Sequence, residues 1–208
     1  MPLVPTVTQP IIVVGNPNLP IRSLAQLLER LKQPGADLSY GSSGNGTGPH
    51  IAAESLLRRA AVRATHVPYR GAAPALQDVM SGNVAFAVVT AGSTVALARE
   101  GKVIPLAILS SDRMSSLPDV PTAGEGAVPG FVFKEWNGLF APAGTPTAAI
   151  ARLHQAAQHA VAQTAVRERL STMGAVPVGS DPASFGNFLS VQRETIATTV
   201  RAAGIVGG

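Results

Sequence analysis

The chain has no cysteine. That excludes a disulfide, a thiolate metal site and a Cys nucleophile, and it is compatible with an oxidising compartment. Aromatics are scarce: six Phe, two Tyr and one Trp in 208 residues, too thin for a base-stacking surface. Charge is also sparse, at 13% of residues, with sixteen basic against twelve acidic side chains and a net charge of +4. The arginines are scattered from Arg22 to Arg201 and form no stripe, so no nucleic-acid partner is expected. A mild positive field that draws small anions fits better. Long hydrophobic runs are missing too. The apolar run near the start, Ile11 to Val14, is far too short to span a membrane. The residues after Met1 do not read as a secretory leader, so export would imply a mature form or a fragment.

Glycine and proline, by contrast, are plentiful, at 21 and 17 residues, and 46% of the chain is hydrophobic, which suits one large domain or two small lobes. The organising stretch runs from Asp37 to Arg59 and reads as a short strand, a Gly/Ser/Asn/Thr loop over Gly41–Gly48 and an amphipathic helix opened by Pro49. Such a helix start leaves N–H groups unpaired and favours an anion there. The loop is therefore expected to hold a small negatively charged group.

In chain order, Val4 to Val14 reads as one extended strand, Ser23 caps a helix to about Lys32, and Leu38 to Tyr40 leads into the loop. The same logic repeats twice. Strand Val62–Val67 leads through a loop at 68–73 to a helix begun by Pro74. Strand Val84–Val89 leads through a loop at 90–93, with Ser93 as N-cap, to a helix ending at Gly101. Val103–Leu109 is a further strand. Three strand-loop-helix units predict right-handed crossovers and a mainly parallel sheet, with the three loops meeting at its carboxyl edge. Ser110–Gly130 is a Pro- and Gly-rich connection with room for one short helix. Phe131–Phe140 reads as a strand, Thr145 as the cap of a helix to about Gln163, and Val166–Met173 as a second helix. Val176–Val178 is a short strand, and Asp181-Pro182 starts the last helix, with Phe185, Phe188, Leu189, Ile196 and Val200 on its apolar face.

The loop is neither a Walker A motif, since no Gly-Lys-Ser/Thr follows, nor a dinucleotide fingerprint, so no cofactor is called for. Gly41-Ser42-Ser43-Gly44 is not a nucleophile elbow, although a catalytic reading would pair Ser42 or Ser43 with His50 or His66 and with Asp78. His50 reads better as a packing or capping residue. His154 and His159 sit five apart, off the spacing of a zinc pair. Tyr69 and Arg70 either form a solvent-exposed tip or wall and charge a ligand site, and Trp136 reads as core.

Several runs together resemble the Bug family, the TctC-type receptors of tripartite tricarboxylate transporters. These are Tyr40–Thr47 with His50, His66–Gly71 with Ala73–Leu76, Leu117–Thr122, Gly138–Pro146 and Ala202–Ile205. The likeness covers essentially the whole chain in order. It implies an α/β, periplasmic-binding-protein-like (type II) fold: one complete lobe with a parallel-type sheet, about residues 10–135, and the C-terminal part of a second lobe from 1–9 and 136–208. It implies a non-catalytic periplasmic receptor that closes on a small carboxylate and hands it to membrane subunits of the transporter. Carried over, the ligand contacts are Ser42, Ser43, Asn45, Gly46, Thr47, Tyr69, Gly71, Ala72 and Thr90. Family members typically carry acidic residues where this chain has Ala85 and Val89, so ligand choice is expected to differ. The family's first half-lobe, with its own glycine-rich loop, has no counterpart before Val4. That predicts dimerisation, a swap of the C-terminal segment, or a shortened form. A hydrolase using Ser43 and a histidine, and a non-binding remnant, are the competing readings.

Overall fold

The apolar run from Val4 to Val14 is two strands rather than one. In the computed structural model, which describes residues 1–133 and 135–205, β1 (Pro2–Gln9) and β2 (Ile11–Gly15) belong to different sheets. Pro10 separates them. It has no N–H to give to a ladder, and its carbonyl accepts from Ala91 N–H.

After β2 the chain forms α1 (Leu24–Lys32), β3 (Ser39–Ser42), α2 (Gly48–Arg59), β4 (Thr65–Pro68), α3 (Ala72–Ser81), β5 (Phe86–Thr90), a single 3-10 turn at Ala91–Ser93, α4 (Val95–Arg99) and β6 (Ile104–Ile108). The five strands lie in the order β4-β3-β5-β2-β6. β3 pairs parallel with β4 and β5, whereas β2 pairs antiparallel with both β5 and β6. The sheet is thus mixed: four strands share a direction and β2 runs against them. Composition could not reveal this, because both faces of the sheet are covered. Ile11 and Val13 pack with α1 and α2 on one face, and Ile12 and Val14 with α3 on the other, so β2 reads as a continuous apolar run like its parallel neighbours.

Local signals place most helices. Ser23 accepts from Gln26 N–H, and α1 buries Leu24, Leu27, Leu28 and Leu31, each worth roughly 1.5–3 kcal/mol on leaving water. Two expected caps fall elsewhere. Thr94 rather than Ser93 precedes α4, and its hydroxyl turns back to the Ala91 carbonyl at 2.7 Å. Likewise Thr145 bonds the Pro142 carbonyl, and Pro146 precedes the next helix. The 110–130 connection contains turns and isolated bridges and no helix.

The remaining elements are β7 (Glu135–Phe140), α5 (Thr147–Ala162), α6 (Thr164–Thr172), β8 (Val176–Pro177) and α7 (Pro182–Ala203). They build a three-stranded sheet, β7-β1-β8. Asp181 caps α7 by accepting from Ala183 and Ser184. Phe185 of α7 is wholly buried, with Trp136 edge-on to it at 5.7 Å, which gives Trp136 the packing role expected of it. α5 buries only Ile150 and α6 buries nothing. α7 reaches α2, where the Arg58 guanidinium donates to the Ala202 carbonyl.

Candidate functional site

The parallel pairing aligns the carboxyl ends of three strands. Ser42 sits opposite Pro68 on one side and Val88 on the other, so the segments that follow β3, β4 and β5 leave from one sheet edge. Two of them are tied together: Tyr69 N–H donates to the Ser42 carbonyl at 3.1 Å and Gly71 N–H to the Ser43 carbonyl at 3.2 Å. Ser42, Ser43, Asn45, Gly46 and Thr47 are thereby brought beside Tyr69, Gly71 and Ala72, and Thr90 ends the next strand over. The third segment differs from expectation, because its 3-10 turn and five-residue helix offer no full helix start.

Two helices do offer one. Thr47 precedes α2 and Gly71 precedes α3, and neither gives a side-chain hydrogen bond to the helix. Thr47 instead donates its hydroxyl to the Gly44 carbonyl at 2.8 Å. The first-turn amides at both starts are left without a side-chain cap, and both carry the positive end of a helix dipole. Gly44 makes the turn possible. Its φ is +134°, and a Cβ there would press on the Tyr69 carbonyl at 3.2 Å.

Two histidines support the loop from beneath. His50 Nδ1 accepts from Gly46 N–H at 3.0 Å, and His66 Nε2 lies 2.7 Å from Ser42 Oγ. The rings stack with centroids 3.8 Å apart, and Tyr40 continues the stack against His66 at 4.9 Å. Burial lowers the pKa of His50, and burial together with the neighbouring His50 ring lowers that of His66 to about 4. Both rings are therefore neutral near pH 7, as the acceptor role of His50 requires. Ser42 is completely buried, so its hydroxyl shapes the loop; it also accepts from Gly44 N–H.

In the second segment the Tyr69 ring lies against Gly41, where a Cβ would meet it at 3.0 Å. Its hydroxyl donates to Asp78 Oδ2 at 2.6 Å, and burial, with this bond to the carboxylate, raises the phenol to about 12. The same bond and one from Asn83 hold the Asp78 carboxyl below its usual range. Tyr69 thus presents a ring and Arg70 is exposed at the tip. The triad geometry considered for hydrolysis does not assemble. The histidine bond falls on buried Ser42 rather than on Ser43, and Asp78 is engaged by Tyr69 and Asn83. Among the described residues no group of three or more His, Asp or Glu could hold a metal ion, and no helix is long and apolar enough to cross a membrane.

Glu135 was not singled out by sequence. It opens β7 opposite Gln9, and its carboxyl rests on the start of α2: a Cβ on Gly48 would stand 2.9 Å from Oε1. Oε2 is buried without a hydrogen-bond partner, and burial alone raises the carboxyl to about 7. It also lines a cavity of about 540 Å³ shared with Gln9, Ser110, Arg113, Arg167 and Ser171. The one available signal was an acidic residue in a strand rich in aromatic and aliphatic residues.

Comparison with known proteins agrees with this architecture. The model of the tripartite tricarboxylate transporter family receptor (TctC) matches residues 1–204. A UPF0065 protein of Pseudomonas sp. is 36% identical over 197 residues, covering 93% of this chain and 58% of the relative. The protein BugT of Bordetella pertussis is 31% identical, covering 94% of this chain and 60% of BugT. Among solved structures, an R. palustris protein with adipate superposes with a TM-score of 0.92 at 28% identity, over 99% of this chain and 69% of that one. The fold is that of periplasmic binding proteins, and the chain spans a little under two thirds of the length of these curated relatives. Matched from Met1 to Gly204, the chain belongs to the TctC family of tripartite tricarboxylate transporter receptors.

Proposed function

We propose that this chain is the ligand-holding part of an extracytoplasmic receptor for a small di- or tricarboxylate, acting in the periplasm with the membrane subunits of a tripartite tricarboxylate transporter and carrying out no catalysis. The observation behind this reading is the pair of helix starts, α2 and α3, that lack side-chain caps and stand at one sheet edge, tied by the Tyr69–Ser42 and Gly71–Ser43 bonds. A carboxylate seated there meets the Ser43 hydroxyl, Asn45 and the Ala72 amide, while the Gly46 and Gly71 amides and the Thr47 hydroxyl, already given to His50, Ser43 and Gly44, hold the turn around it. The Tyr69 ring walls it and Thr90 flanks it, while Ser42 keeps the loop in shape. The adipate named with the R. palustris structure belongs to this chemical class. Residues 10–135 form the lobe that carries these contacts, and 1–9 with 136–208 form part of the opposing lobe.

Calorimetric titration with succinate, malate, adipate and citrate tests the reading. Saturable one-site binding of at least one of them is expected, weakened at least tenfold by Thr47→Val combined with Ser43→Ala. Heat of dilution alone for all four overturns it. Leu139, Phe140, Leu153, Val176 and Val191 are exposed on the smaller sheet and its helices, and we infer that the chain self-associates through this part of its surface. A monomeric mass in sedimentation velocity removes that part of the reading.

A further inference from the structure

The carboxyl of Glu135 stands against the first residue of α2, so a carboxylate held at that helix start would lie beside it. Its Oε1 and Cδ stand 2.9 and 3.1 Å from the position a Cβ would take on Gly48, the first residue of α2. That is the helix start assigned above to the ligand. Oε2 is sealed from solvent and has no donor among the described residues.

Groups on the neighbouring elements do not neutralise it. β1 offers only uncharged Gln9 and Thr8 toward the shared cavity. Across that cavity stand Asp112, Arg113 and Arg167, and Arg113 is already paired with Glu125 at 3.0 Å. On α2, His50 is a neutral acceptor for Gly46, and Glu54 accepts from the Tyr40 hydroxyl at 2.6 Å. None of the ion pairs among the described residues includes Glu135.

We propose that Glu135 is the proton carrier of the binding site, so that the chain takes up its carboxylate ligand together with one proton. This rests on the receptor reading given above. Two carboxylates a few ångströms apart in a poorly solvated site cannot both stay ionised at low cost. On binding, Glu135 takes a proton from solvent, and its O–H then donates to the ligand oxygen as a short, charge-assisted bond. The proton leaves when the ligand leaves. The consequence is selectivity by charge state, because the ligand is held as an anion beside a neutral carboxylic acid.

The sign follows from linkage. Burial already raises the free carboxyl to about 7, and a ligand anion beside it raises it further. Below pH 7 the proton is in place and affinity is at its plateau. Above it, affinity falls by up to about tenfold per pH unit until the bound-state value is reached.

Three measurements test this on the wild-type chain and on Glu135→Gln. Malate and adipate affinities are titrated from pH 6 to 9; protons are counted at pH 8 by calorimetry in phosphate and in Tris; and the Glu135 side-chain carbon is followed by 13C NMR without ligand. The expected results are a tenfold or larger loss of wild-type affinity between pH 7 and 8.5, close to one proton taken up per ligand at pH 8, and a free-state midpoint near 7. Glu135→Gln should lose both the slope and the uptake. A flat wild-type profile, no proton uptake, the same slope in Glu135→Gln, or a free midpoint at 4–5 overturns the proposal while leaving the receptor reading intact. Failure of the wild type to bind any carboxylate at any pH sinks the receptor reading and this proposal with it.

Discussion

The imidazoles of His50 and His66 lie face to face, 3.8 Å apart and 11° from parallel, and each holds a different end of the same loop. His50 accepts from the Gly46 amide, and His66 Nε2 is hydrogen-bonded to the Ser42 hydroxyl. Both contacts fix the shape of the turn that precedes α2. Protonating either ring places a cation against its stacked neighbour, and on His50 Nδ1 it sets a donor against a donor.

Acid should therefore weaken this protein through the pair. Both rings have folded values below the unfolded value of about 6.5, to about 4 for His66, so the unfolded chain binds more protons between those limits. Stability is full above about pH 6.5 and drops as the pH falls toward 4. Thermal melts across pH 4–8 check this. His66→Gln, which keeps a hydrogen-bonding side chain next to Ser42 without an imidazole, should flatten that acid limb.

Gly44→Ala tests the turn itself. The backbone there sits at φ +134° and the added methyl meets the Tyr69 carbonyl at 3.2 Å. A cost of about 1–3 kcal/mol is expected, read as a lower denaturation midpoint in urea at unchanged slope. Carboxylate affinity should fall with it, whereas Gly126→Ala, in open space, should leave both unchanged.

Tyr69 separates wall from donor. Its hydroxyl is committed to Asp78 at 2.6 Å, while its ring covers Gly41. Tyr69→Phe should cost about 1 kcal/mol of stability and change carboxylate affinity less than threefold. Tyr69→Ala should weaken binding at least tenfold. Equal losses in calorimetry for the two variants would assign the recognition to the hydroxyl instead.

Phe185 anchors α7 to the small sheet. It is fully buried and packs against Trp136, Phe140 and Phe188. Phe185→Ala should destabilise by about 3–5 kcal/mol through the cavity it leaves, with early hydrogen exchange in α7 and β7 and later exchange in β2, β3 and β5.

The helices differ from the sheets in how much of their structure could be read from residues. α1, α2, α3 and α7 are fixed by local chemistry: a Ser or Asp cap, a first-turn proline, a left-handed glycine after the last turn, and leucines at helical spacing. Those signals act within one or two turns, so they survive without tertiary context. The Gly/Ser loop between β3 and α2 was legible for the same reason, since glycines and a first-turn proline mark the turn locally.

What only the tertiary structure decided concerns partners far apart in the chain. Ile11–Gly15 became an antiparallel strand inside an otherwise parallel set because Pro10 turns the chain between two sheets, and a strand buried on both faces carries no mark of its direction. His50 met His66, and Glu135 met Gly48, across sixteen and eighty-seven positions. No spacing rule spans such distances; the pairings exist because the start of α2 lies beside β4 and against the first residue of β7. The sequence determined that a glycine-rich turn would open α2, and the folded chain decided which histidines and which carboxyl would stand around that turn.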